Sequence, residues 1–171
     1  MSVVPIRVWG DTTLRERTRT ADPADPSIAG LVTTMLETMR DADGLGLAAP
    51  QIGESVRVAV VDRRAVTSDE DLVLINPIME VAWGEATLEE GCLSLPGVWV
   101  DVRRATHVRV RYSDLAGREQ VIRADDMLAV ALQHELDHLD GVLLVDRIPP
   151  DVRRSIAGSL DRIKETGRVK V

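Results

Sequence analysis

The stretch Gln133-His134-Glu135-Leu136-Asp137-His138 restricts the rest of the chain most, because it needs a helix and asks that helix to do chemistry. It reads H-E-x-x-H. The preceding run, Asp125 to Leu132, has helical character. An aspartate at 125 or 126 can cap its start, and Gly141 can end it. Residues four apart share one helix face, so His134 and His138 point to one spot. Two of the three histidines in 171 residues fall here, around a glutamate. In this motif the glutamate is a general base beside a Lewis acid rather than a ligand. The competing reading is two unrelated histidines on an amphipathic helix.

Composition describes an ordinary globular chain: 44% hydrophobic and 29% charged residues over a length that suits one domain, residues 1–171. With no phenylalanine, one tyrosine and three tryptophans, the core must be aliphatic. We find no signal peptide and no apolar run long enough to span a membrane, so the expectation is a cytoplasmic protein with no membrane partner. A single cysteine, Cys92, excludes an internal disulfide framework and leaves a buried thiol or a reactive or metal-bound one. Net charge is −7. Residues 147–171 hold seven basic and three acidic residues, a net +4, so residues 1–146 carry −11. An acidic body argues against general nucleic-acid binding; a basic C-terminal helix and tail permit it locally.

Taken in order, Asp25-Pro26-Ser27 opens a helix whose apolar stripe is Ile28, Leu31, Val32, Met35, Leu36 and Met39. The Met positions read as core. Asp43 to Gly53 is rich in glycine and alanine, which lets backbone approach something closely, and it closes on the polar Gln51. It lacks the Gly-Lys-Ser/Thr of a phosphate loop. Val56–Val61, Leu72–Ile75 and Ile78–Trp83 read as three strands. Glu89 to Gly97 carries Cys92. His107–Tyr112 alternates as a half-exposed strand, turns through Asp114–Arg118 and pairs back as Glu119–Arg123, with His107 on the solvent side. Pro149-Pro150 breaks the chain before a last helix with Val152, Ile156, Leu160 and Ile163 inward. Strands without βαβ alternation favour an α+β fold: mixed, mostly antiparallel sheets around the H-E-x-x-H helix, with a C-terminal helix.

Two histidines need a third ligand. The protease pattern H-E-x-x-H-x-x-G-x-x-H holds through Gly141 but meets Leu144, and the only later glutamate, Glu165, falls in the last helix. Cys92 is therefore the best candidate. One thiolate with two imidazoles leaves a coordination position open, which is the catalytic rather than the structural arrangement.

Three motifs, Gly44-Leu45-Gly46-Leu47-Ala48-Ala49-Pro50-Gln51, Glu90-Gly91-Cys92-Leu93-Ser94 and Gln133 to His138, resemble in order and spacing those of the peptide deformylases. The resemblance covers most of the chain. It implies a hydrolase that removes the N-formyl group from methionine at the start of new polypeptides and releases formate. It also implies one divalent metal, natively Fe2+, with Zn2+, Ni2+ or Co2+ as substitutes. Carried over by position, Cys92, His134 and His138 are the expected ligands and Glu135 the acid-base group. Gln51 and the Leu93 amide are the expected donors to the oxyanion. On the substrate side the resemblance places Leu45, Gly46, Glu90, Trp99, Val130 and Ala131. Glu90 and Asp137 also read as groups that steady the ligands, with Arg103 or Arg104 pairing to Asp137. Some family members carry arginine where this chain has Trp99, so the backbone contact it makes there does not transfer. A tryptophan wall favours apolar residues after the methionine. The expected partners are N-formylmethionyl nascent peptides, with the ribosome contacted through the basic tail and the chain a monomer.

Overall fold

Asp25 accepts the Ser27 amide, and Pro26 occupies the first turn, where its missing N–H costs nothing. Those two residues start helix α1, Pro26–Asp41, whose Ile28, Val32, Met35 and Met39 are buried. The computed structural model describes residues 2–65 and 70–167. After α1 come strands β1 (Gly46–Ala48), β2 (Val58–Val61), β3 (Leu72–Trp83), β4 (Ala86–Cys92), β5 (Leu95–Arg104), β6 (His107–Ser113) and β7 (Glu119–Asp125). Helix α2 spans Asp126–Leu139, and two short helices follow, α3 (Pro150–Ser155) and α4 (Ala157–Thr166). Five strands form an antiparallel sheet in the order β1-β2-β3-β6-β7, and β4-β5 form a separate antiparallel hairpin. The α+β expectation therefore holds.

Helix α2 lies in the middle. Its Leu128, Ala129, Leu132, Leu136 and Leu139 join Leu74, Val108, Val110 and Ala124 of the large sheet in one apolar cluster. A second cluster sets Val98, Val100 and Val102 of the hairpin against Leu144, Val145, Leu160 and Ile163. A third packs α1 on Leu47, Val58, Val60 and Ile75. The apolar part of the packing between the ligand helix and both sheets is thus mostly aliphatic, as the scarcity of aromatics requires.

The structure corrects four details. The segments either side of Asn76-Pro77 are one bent strand, not two. Asn76 takes a left-handed backbone (φ 52°), and its amide exchanges two 2.8 Å hydrogen bonds with Ala21, so the ladder shifts register there and continues. The last helix is two helices, divided at Ile156, where the Ser155 hydroxyl bonds back to the Val152 carbonyl at 2.6 Å. Asp125 sits at the head of α2, but its carboxylate makes no capping bond. The 86–104 hairpin was not anticipated as paired strands. The stop at Gly141 does hold: φ is +72°, and the Val142 amide reaches back to the Asp137 carbonyl at 2.9 Å.

Leu132 is fully buried where α2 meets the large sheet. Leu132→Ala is expected to lower the unfolding free energy by roughly 2–5 kcal/mol, the range for a buried leucine whose cavity refills only in part. Urea denaturation measures it.

Candidate metal centre

Three segments meet at one point. The irregular end of β4 delivers Cys92: the pairing slips between Gly91 and Cys92, so strand register turns the sulfur off the sheet plane. The inner stripe of α2 delivers His134 and His138. The ligand atoms of Cys92, His134 and His138 all lie within 4.8 Å of one another, with Cys92 Sγ 3.3 Å from His138 Nε2. The imidazole planes cross at 63° with centroids 5.0 Å apart, so the rings converge without stacking. Glu135 is buried beside them, and among the described residues its Oε2 has no hydrogen-bond partner; neither does Nδ1 of His138.

Electrostatics follow from burial. Desolvation pushes the Cys92 thiol up to about 12, although the Ser94 and Leu95 amides and the Ser94 hydroxyl donate to the sulfur and oppose the shift. Desolvation, with the Arg104 charge adding to it, brings His134 down to about 4. His138 moves the same way through burial and its neighbour His134. Glu135 moves well up, through burial first and then the nearby Glu90 carboxylate. Both imidazoles are therefore held unprotonated, the form that coordinates metal. A divalent cation would supply the positive charge that an ionised thiol and an ionised Glu135 need in this low-dielectric spot. The donor set and the two orphaned buried atoms fit such an ion.

Gln51 is 1% exposed, in a short helical turn, Ala49–Ile52, that follows β1. Its Oε1 accepts the Ala48 amide at 2.9 Å, which leaves its NH2 to face Ser94 Oγ at 3.1 Å and the Cys92 sulfur at 3.8 Å. The Ala48 bond therefore decides which way the amide points. Gly46 lies against Glu135, and any Cβ there would run into the carboxylate. Gly44 is equally tight, a Cβ there falling 2.7 Å from the Leu93 side chain. This is the close backbone approach that the glycine-rich loop implied.

Around the trio runs a buried ion network. Arg104, 6% exposed, binds Glu90 of β4 (Nε at 3.2 and 3.1 Å) and Asp137 of α2 (Nη1 at 2.6 Å). Asp137 also takes Arg147 at 3.1 and 2.7 Å. Of the two arginines considered for Asp137, Arg104 makes the pair, while Arg103 turns outward to Glu85. Glu90 is two residues before Cys92, and Asp137 is beside His138. The Glu90 carboxylate is taken up by Arg104 rather than facing open space.

The other site residues fall as follows. Leu45 and Leu93 are half-buried, and Val130 and Ala131 are buried on α2. Trp99 is 66% exposed on the outer face of the hairpin, its ring covering Gly91 from across the strand pair. His107 stacks on Trp83 with centroids 5.2 Å apart, outside the trio. Sequence reasoning missed two contributors. Ser94 orients both Gln51 and the sulfur. The N-terminal segment staples the two site loops, Arg7 N–H to the Gln51 carbonyl (2.6 Å) and Trp9 N–H to the Ser94 carbonyl (2.9 Å). Only the Gly-Cys-x-Ser spacing could have hinted at Ser94.

An α+β chain that brings one half-buried thiol, one half-buried imidazole and one buried imidazole to a common point, with a buried carboxyl group alongside, falls in the class of metal-dependent hydrolases. The particular family comes from comparison. Residues 3–154 match the family model described as polypeptide deformylase. A peptide deformylase of Alkalilimnicola ehrlichii is 43% identical over 171 residues, covering 100% of this chain and 96% of the relative. The crystal structure of peptide deformylase from Thermus thermophilus superposes with a TM-score of 0.89 at 40% identity, over 97% of this chain and 100% of that one. One from Legionella pneumophila gives 0.89 at 39% identity, over 96% of each chain. The chain belongs to the polypeptide deformylase family, metal-dependent enzymes that remove the N-formyl group from nascent polypeptides.

Arg104→Met would strand the buried Glu90 carboxylate and leave Asp137 with Arg147 alone. Stability is expected to fall by roughly 3–5 kcal/mol, the cost of breaking a buried pair. Metal affinity should fall about 10–100-fold, as for other outer groups that orient ligands. Chelator competition and denaturant unfolding on the same preparation measure both.

Proposed function

We propose that Cys92, His134 and His138 hold one divalent ion, natively Fe2+, with Zn2+, Ni2+ or Co2+ able to replace it, and that Glu135 carries the proton of the reaction. The observation behind this reading is the buried Glu135 Oε2, which lacks any partner and stands beside the three converging donors. When bound, the ion supplies Lewis acidity that brings a water's pKa to about 7. The remaining steps belong to the chain. Glu135 takes a proton from the attacking water and returns it to the departing amine nitrogen, so that formyl-peptide plus water becomes formate plus a free α-amine. The Gln51 NH2, aimed by Ala48, and the Leu93 amide donate to the oxygen that gains charge as the formyl carbon becomes tetrahedral. Gln51 can leave Ser94 Oγ for that oxygen with little movement, so its contact strengthens where charge develops.

Substrate placement rests on β1. It is an edge strand of the large sheet, and the Leu45–Gly46 backbone at its start can take an extended peptide as one more strand. Gly46, with no side chain, lets that peptide lie close to Glu135. Val130 and Ala131 with Leu93 shape an apolar pocket for the unbranched methionine side chain. Trp99 forms the outer rim and favours an apolar residue after the methionine. We read residues 1–171 as one catalytic domain acting as a cytoplasmic monomer; among the described residues no helix is long and apolar enough to cross a membrane.

The C-terminal charge supports a ribosomal contact. Helix α4 buries Leu160 and Ile163 and leaves Arg162 exposed; Arg168 and Lys170 lie outside the described residues. Docking there raises the effective concentration of nascent chains.

Glu135→Gln should retain the metal and lose about 10²–10⁴-fold in turnover of formyl-Met-Ala-Ser, the range for a positioned acid-base group. Metal analysis beside formate release tests it, and near-normal turnover would assign the proton to another group. Arg154→Glu with Arg162→Glu should leave that peptide's turnover intact and abolish co-sedimentation with ribosomes at low salt, since phosphate contacts are salt-dependent. Unchanged co-sedimentation would remove the tail from the reading.

A further inference from the structure

A second concave site lies around the α2 helix from the metal ligands. It is a cleft of about 840 Å³ whose α2 wall is the stripe Gln133, Leu136, Asp137 and Asp140. That size is typical of small-molecule pockets and too small for a protein or nucleic-acid surface. Five arginines line it, Arg17, Arg57, Arg103, Arg104 and Arg147, with Asp137 and Asp140; Glu85 and Glu90 also pair with Arg103 and Arg104, so the group stays net positive by one. The protein as a whole is net −7, so this cleft inverts the sign of its surroundings.

The arginines are not equivalent. Arg104 and Arg147 are spent on Asp137. Arg57 is braced by the Pro77 carbonyl (3.1 and 3.0 Å) and paired with Asp140 (2.8 Å), so its plane is fixed, and its partner Asp140 is half exposed. Arg17 has no hydrogen-bond or ionic partner among the described residues. Arg103 pairs only with the exposed Glu85. Beside these donors stands an apolar wall of Met79, Ala82 and Leu136.

We propose that this cleft binds a small organic oxyanion, a phosphate or carboxylate carried on an apolar body. The head group sits among Arg17, Arg57 and Arg103, and the body lies on Met79, Ala82 and Leu136. Guanidinium forks match both oxyanions in paired hydrogen bonds, and a fixed Arg57 loses little freedom on binding. The apolar wall separates such a ligand from bare phosphate, which cannot use it.

The test is amide-resonance mapping on the zinc-loaded full chain, titrated with phenyl phosphate, benzoate and inorganic phosphate. Saturable shifts are expected at Thr18, Asn76 and Ala105. Phenyl phosphate or benzoate should bind about tenfold tighter than inorganic phosphate, the two aromatic probes telling which head group is preferred. Arg17→Glu with Arg103→Glu should weaken that binding about tenfold or more while leaving formyl-Met-Ala-Ser turnover unchanged. The proposal is overturned if no saturable shift occurs at those amides. It is likewise overturned if shifts appear only around Gln51 and Leu93, which would place the anion on the metal. Affinity indifferent to the double charge reversal overturns it too.

Discussion

The Arg104 guanidinium is the constraint on which the site depends. It is almost fully buried, and it joins a strand to a helix through Glu90 and Asp137. Those two carboxylates sit next to the segments that deliver Cys92 and His138. An apolar core alone would allow the hairpin to slide over α2, because aliphatic packing is non-directional. A buried ion network is directional. It tolerates one register, since any other leaves a charge in low dielectric without its partner. Arg147 closes the network from the loop after α2, which draws the C-terminal part of the chain into the same register.

Within that frame the cluster runs on desolvation. Burial first, and neighbouring charges after it, move the Cys92 thiol and Glu135 up and both histidines down, each toward its neutral form. Such a pocket has lone pairs in excess. One cation reverses the preference of the thiol and the carboxyl together, which couples metal binding to the arming of the base. Gln51 complements this with a neutral donor. Its orientation comes from the Ala48 amide, and the Arg7 N–H holds its backbone carbonyl; in the proposed reaction such a donor would hold an oxyanion without burying a charge.

How much of this the sequence revealed depended on whether the signal was local. Helices α1 and α2 were legible because caps, glycine stops and apolar spacing lie within a few residues of one another. The β6–β7 hairpin was legible through strict alternation. The β4–β5 hairpin was not: on its inward face stand Glu90 and Arg104, and Leu88 is 37% exposed, so alternation of hydropathy is lost where the fold buries an ion pair. Asn76-Pro77 read as a break because the two bonds that make it a bend come from Ala21, 55 residues away. The convergence of Cys92, His134 and His138 was readable because two histidines stand four apart on one helix and the sequence has one cysteine. Ser94 and the Arg7–Trp9 staple were not, since their contribution is a backbone or hydroxyl contact that any sequence pattern hides.

Helix α2 serves two stripes about one residue apart. His134 and His138 face the metal side, while Gln133 and Asp137, each one position earlier, face the arginine-lined cleft. Gln133 is fixed by a pair of hydrogen bonds to the Ala105 backbone, at 3.0 and 2.9 Å, in the manner of a strand partner. Asp137 is fixed by two arginines. Side chains so tightly held transmit rotation of the helix rather than absorb it. The cleft side is therefore the mechanical backing of the ligand side. Its polar groups set the helix rotation that decides whether two imidazoles and one thiol share a point.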